Sequence, residues 1–143
     1  MKATLYADGG ARGNPGPAAL GALLVDEAGS VLREESQYIG RATNNVAEWR
    51  ALVAGLEAAL GAGVDDIAVR MDSELVVRQL NGEYRVKHPD LKPLHDRARG
   101  LLRRFARVDI RHVPRKENAG ADALVNAALD RHAEELAAED RGH

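Results

Sequence analysis

The chain has no cysteine, which excludes disulfides, thiolate-bound zinc and cysteine nucleophiles and leaves carboxylates, histidines and hydroxyls to carry any chemistry. A bound metal is then a hard, oxygen-liganded ion such as Mg²⁺ or Mn²⁺. Nowhere do apolar residues run for the roughly 18 positions that would span a bilayer. The opening MKATLYADGG alternates polar and apolar residues and lacks a signal-peptide core. No membrane association is expected, and a cytoplasmic location is the default. Internal repeats, long linkers and a Gly-Lys-Ser/Thr phosphate loop are also missing. At 143 residues one domain over 1–143 is expected, with a core at about 2–131 and an acidic tail at about 134–143. No obligate protein partner is evident.

Excess charge is scarce too: the formal net charge is −2, which by itself draws no polyanion. Its distribution is uneven. Residues 85–116 hold eleven Lys or Arg against three Asp, a local charge of +8, while 134–140 is acidic. The basic flank, with Arg103, Arg104 and Arg107 in it, is suited to following phosphates, or is simply the wet face of a helix.

Residues 2–8 read as a strand running into a Gly/Pro turn, and 18–26 and 31–38 as two more strands in a meander. Thr43 or Asn44 can cap a helix over about 45–61, whose Val46, Trp49, Leu52, Val53, Leu56 and Leu60 recur at helical spacing. A strand at 67–71, helices at 73–80 and 90–105, a strand at 108–113 and a helix at 119–138 follow. Three meandering strands and then alternating helices and strands imply an α/β fold with a mixed sheet flanked by helices. In open sheets of this kind ligands gather beyond the carboxyl ends of central strands, where Asp8 and Asp72 are expected.

Four acids stand in distinctive settings: Asp8 in YADGGARGNPGP, Glu48 in TNNVAEW, Asp72 in VRMDSELVV and Asp122 in RKENAGADALVNAAL. Together they read as one carboxylate cluster for divalent metal. Phosphodiester hydrolysis needs an activated water, in-line attack and a stabilised leaving oxygen, which two metals about 4 Å apart can supply. Crowded carboxylates repel, so part of such a cluster stays protonated until cations arrive. Asp8, at the end of the central strand, is the best placed to bridge two ions. Plainer roles exist for each: a strand-end Asp for Asp8, a helix-start Glu for Glu48, an N-cap for Asp72, and a dipole-favoured acid for Asp122. The glycines after Asp8 let backbone approach a ligand, and Asn14 offers an amide. Arg41, Thr43 and Asn44 precede a helix whose free amides favour an anion, or merely cap it.

In order and spacing these segments resemble the catalytic blocks of type 1 ribonuclease H, over about residues 3–130. The resemblance implies a five-stranded mixed sheet of order 3-2-1-4-5. It also implies a metal-dependent endonuclease that cuts the RNA strand of RNA–DNA hybrids, leaving 5′-phosphate and 3′-hydroxyl ends. Asp8, Glu48, Asp72 and Asp122 would be catalytic and hold Mg²⁺ or Mn²⁺, two ions per active site with substrate bound. Gly9, Gly10 and Asn14 would meet the RNA strand, where a 2′-hydroxyl distinguishes RNA from DNA. Arg41 and Thr43 would hold a phosphate of the DNA strand, with His88 where the family often has asparagine. Asn44, Ser73 and Arg115 complete the implied nucleic-acid-binding set.

Two departures stand out. The basic helical protrusion of many members is replaced by NGEYRVKHP, and the flexible histidine loop by the shorter HVPRKENAGAD. His112 then falls in the pattern of the fifth strand as a structural residue, and Arg115 or Lys116 is a weaker basic substitute. This compact form resembles the archaeal-like branch. The alternatives are another nuclease on the same fold, acting on DNA or double-stranded RNA, and a non-catalytic hybrid-binding module, which would be expected to have lost an acid.

Overall fold

The computed structural model describes residues 1–142; His143, the last residue of the expected acidic tail, lies outside them. The elements are β1 (Lys2–Ala11), β2 (Gly16–Asp26), β3 (Val31–Ala42), α1 (Asn44–Gly61), β4 (Asp66–Met71), α2 (Glu74–Leu80), α3 (Lys92–Leu102), β5 (Arg107–His112), a 3₁₀ turn (Arg115–Asn118) and α4 (Ala119–Arg141). They form one five-stranded sheet of order β3-β2-β1-β4-β5. β1 is antiparallel to β2 and parallel to β4, and β4 is parallel to β5.

Alternation along β1 decides what lies on each side of the sheet. Ala3, Leu5 and Ala7 are buried and share a face with Gly9, whose missing Cβ would sit 2.2 Å from the Ala47 carbonyl carbon in α1. This side carries the main core, in which Leu5, Trp49, Leu52, Leu56, Ile67, Val76 and Phe105 pack together. α4 packs on the other side over a smaller cluster of Ala19, Val125, Ala128 and Leu129. It comes close because β2 offers no side chain at Gly21, where a Cβ would lie 2.4 Å from the Ala121 carbonyl oxygen. Gly21 is the register partner of Asp8.

Several boundaries differ from the sequence expectation. β1 runs past Asp8 because Gly9, Gly10 and Ala11 pair with Leu20, Ala19 and Ala18. Asp8 therefore lies inside the strand, and the missing Cβ of Gly9 makes room for α1. β3 continues to Ala42 for the same reason, with Arg41 and Ala42 paired to Pro17 and Gly16. α3 stops at Leu102, so that Phe105 can turn into the core. The last helix extends to Arg141, since 131–141 holds only helix-compatible residues until Gly142 caps it.

Candidate active site

Each acid is delivered by a different element. Asp8 projects from β1 on the same side as Gly10, whose absent Cβ would meet Val125 of α4 at 3.7 Å. Glu48 sits early in α1, held down by the Thr43 N-cap, whose hydroxyl accepts from the Val46 amide at 3.2 Å. Asp72 follows β4, and Asp122 lies in the first turn of α4. All four line one cavity of about 310 Å³, together with Gly9, Gly10, Asn44 and Arg115. Asp72 is not the N-cap of the following helix; Ser73 is, its hydroxyl accepting from the Val76 amide. The Asp72 carboxylate caps no helix, and its Oδ1 accepts from Asn118.

Crowding and burial raise the proton affinity of this group. Burial first, then the charges of Asp72, Asp122 and Glu48, push the Asp8 carboxyl up to about 8. Burial also pushes Glu48 up to about 7, with Asp72 adding to it and the Ser73 hydroxyl opposing it. One Glu48 oxygen, Oε2, is buried without a hydrogen-bond partner. Buried acceptors lacking donors, beside carboxylates that resist ionisation, are what a hard divalent cation relieves, so the residues present fit Mg²⁺ or Mn²⁺. Among the described residues no three such groups already form a closed ligand set; the carboxylates rim a common space.

The other expected site residues fall into three groups. Gly9, Gly10, Asn44 and Arg115 belong to the acid cavity, with Arg115 Nη2 3.9 Å from Asp122 Oδ1 on a side chain that is 82% exposed. Asn14, Thr43, Asn44 and His88 line a neighbouring pocket of about 420 Å³ at the start of α1. Within it the Asn44 backbone amide donates to Asn14 Oδ1, while Asn44 Oδ1 accepts from the Ala11 amide, tying the turn after β1 to the helix. Arg41 stands apart from that pocket, in an adjoining recess with Thr43, Pro89 and Pro93. Ser73 lies beside Glu48, and His112 Nε2 is 3.2 Å from the Asp72 carbonyl, to which it can only donate.

Three residues were missed by sequence reasoning. Arg12 and Asn126 line the acid cavity; Arg12 is paired with Asp130, and the Asn126 amide donates to Asp122 Oδ2. Asn118 donates to both the Ala7 carbonyl and Asp72. Its position just before a helix suggests only a cap, yet its side chain makes no capping bond.

A reverse transcriptase-like family pattern matches residues 6–128. The chain is 50% identical to the bifunctional protein Rv2228c of Mycobacterium tuberculosis over 140 residues, covering 97% of this chain and 38% of that protein. It is 54% identical to ribonuclease HI of Halobacterium salinarum over 125 residues, covering 87% of this chain and 63% of that one. It therefore spans less than two thirds of the length of either relative. The crystal structure of the Halobacterium salinarum RNase H1 superposes with a TM-score of 0.89 at 51% identity, over 92% of this chain and 99% of that one. LC11-RNase H1, solved in complex with an RNA/DNA hybrid, gives 0.85 at 46% identity, over 92% and 99%. Sequence pattern, sheet order and close structural likeness over nine-tenths of the chain agree, and the chain belongs to the type 1 ribonuclease H family.

Proposed function

We propose that the chain is a metal-dependent endonuclease that hydrolyses the RNA strand of RNA–DNA hybrids and leaves 5′-phosphate and 3′-hydroxyl ends. The observation that carries this reading is the convergence of Asp8, Glu48, Asp72 and Asp122, from four separate elements, on one cavity. Mg²⁺ or Mn²⁺ held there by Asp8, Glu48, Asp72 and Asp122 would supply activation of the attacking water and charge neutralisation at the leaving oxygen. The chain's own residues do the rest. The four carboxylates would hold the cations, with Asp8 close enough to feel the charges of the other three. Gly9, Gly10 and Asn14 present backbone and amide groups to the RNA strand, and Ser73 borders the same site. Thr43, Asn44 and His88 offer a pocket at a helix start for a phosphate of the DNA strand, with Arg41 beside it. Arg115 places a cation at the mouth of the acid cavity. The hybrid-bound relative supports the choice of substrate.

The test is cleavage of end-labelled hybrid, RNA duplex, DNA duplex and single strands, each with Mg²⁺ or Mn²⁺, by the parent and by Asp72→Asn. Hybrid-selective cutting is expected, with the variant slower by on the order of a thousandfold at saturating metal. Equal cutting of DNA duplex, or near-parental activity of Asp72→Asn, refutes the proposal.

A further inference from the structure

Asn118 is 1% exposed and, among the described residues, shares with Gln79 the distinction of being polar and buried. It occupies the N-cap position of α4 without capping it. Both hydrogens of its amide are used elsewhere: Nδ2 donates to the Ala7 carbonyl and to Asp72 Oδ1, each at 3.0 Å. Its own Oδ1 is buried with no partner, which is unfavourable for folding. The polar contacts of this side chain are thus made through its donors.

Those donors meet the site at two points, and the backbone of Asn118 joins it at a third. Pairing between β1 and β4 ends at Tyr6 and Arg70, and the Asn118 amide extends it at Ala7, the residue before Asp8. The same amide fixes one oxygen of Asp72 and leaves the other uncommitted. Asn118 is also one turn ahead of Asp122 in α4. A single buried side chain thus sets the relative placement of three acid-bearing segments.

We propose that Asn118 is the positioning residue of the acid cluster, orienting the Asp72 carboxylate toward a divalent cation and locking β1 and α4 to β4 around it. This rests on the reading of the four acids as cation ligands. Groups that orient metal-binding side chains cost roughly 10–100-fold in metal affinity or activity when removed.

The test uses Asn118→Ala and Asn118→Leu, the second keeping the volume without the donors. Mn²⁺ binding is measured calorimetrically with no nucleic acid present, and hybrid cleavage is titrated with Mg²⁺. Both variants should bind Mn²⁺ on the order of 10–100-fold more weakly and need correspondingly more Mg²⁺, with KM for hybrid unchanged. Added to Asp72→Asn, Asn118→Ala should weaken Mn²⁺ binding by less than it does in the parent, because part of its effect runs through Asp72. Parental Mn²⁺ affinity and Mg²⁺ requirement in a folded variant would show that Asn118 is a packing residue. Should the alanine variant fail to fold, the leucine variant, or Asn118→Ser, gives the same readout. An Asn118-dependent cation site in a chain that cuts no hybrid would sink the proposed function and spare the positioning role; a parent that binds no cation sinks both.

Discussion

Asp8 holds a proton at pH values where an ordinary carboxylate has lost it, since its carboxyl is pushed from 3.8 to about 8. The folded chain therefore keeps a proton that the unfolded chain has released, and stability falls as pH rises through that window. It is fully present below about pH 4 and levels off above about 8. Glu48 adds to the loss between 4.5 and about 7. Without divalent ions, the Tm of the parent is expected to drop between pH 5.5 and 8.5 relative to Asp8→Asn, by the equivalent of roughly a few kcal/mol. Mg²⁺ should restore the parent at pH 8.5 far more than at pH 5.5. Parallel Tm profiles for the two proteins would show that Asp8 is not strained by its neighbours. The four acids were legible as residues because each sits in its own distinctive segment. Asn118 was not, since its role depends on a contact with Ala7, 111 positions away.

At the level of elements, site geometry is set by how closely the helices on the two faces approach β1 and β2. α1 brings Glu48 in over Gly9, and α4 brings Asp122 in over Gly21. Gly21→Ala sets a Cβ 2.4 Å from a backbone oxygen, so α4 must move. A loss of about 1–3 kcal/mol is expected, with activity down on the order of a hundredfold from misplacement alone. Gly100→Ala in α3 meets nothing within 4 Å and should instead stabilise by about 0.5–1 kcal/mol with unchanged cleavage. Equal effects of the two substitutions on urea midpoint and turnover would refute this account. These glycines also explain where the sequence was misleading. Composition, turn signals and helical spacing located the five strands and four α-helices but not the 3₁₀ turn at Arg115–Asn118, and glycine signals a turn and a close helix approach with the same letter. β1 accordingly looked three residues shorter than it is. The ends of α3 and α4 were misjudged because one is fixed by the pull of Phe105 into the core and the other by the lack of any breaker before Gly142.

Across the whole molecule, the basic flank divides. Arg107 pairs with Asp66 at the start of β4, whereas Asp72 follows the other end of that strand. Arg103 and Arg104 follow directly on α3 and lead into the same end as Arg107, remote from the acids. The expectation that these three grip substrate is therefore revised. Arg103, Arg104 and Arg107 changed together to Gln should leave hybrid KM and its salt dependence unchanged. Changing Arg12 and Arg115, on the acid cavity, should raise KM and flatten the log–log salt slope by about 0.9 per lost phosphate contact. A flatter slope for the triple variant would return the flank to the binding surface.

The gathering of four carboxylates in one cavity also governs the sign of the electric field around the protein. A formal charge of −2 leaves the empty chain mildly repelled by nucleic acid, but each divalent ion held there would add up to two positive charges, less any proton it displaces from Asp8 or Glu48, and a pair would carry the total past zero. On the proposed reading, cations held in the cavity would turn a chain that its net charge keeps from a polyanion into one drawn toward it, so that the electrostatic attraction for substrate would depend on the metal.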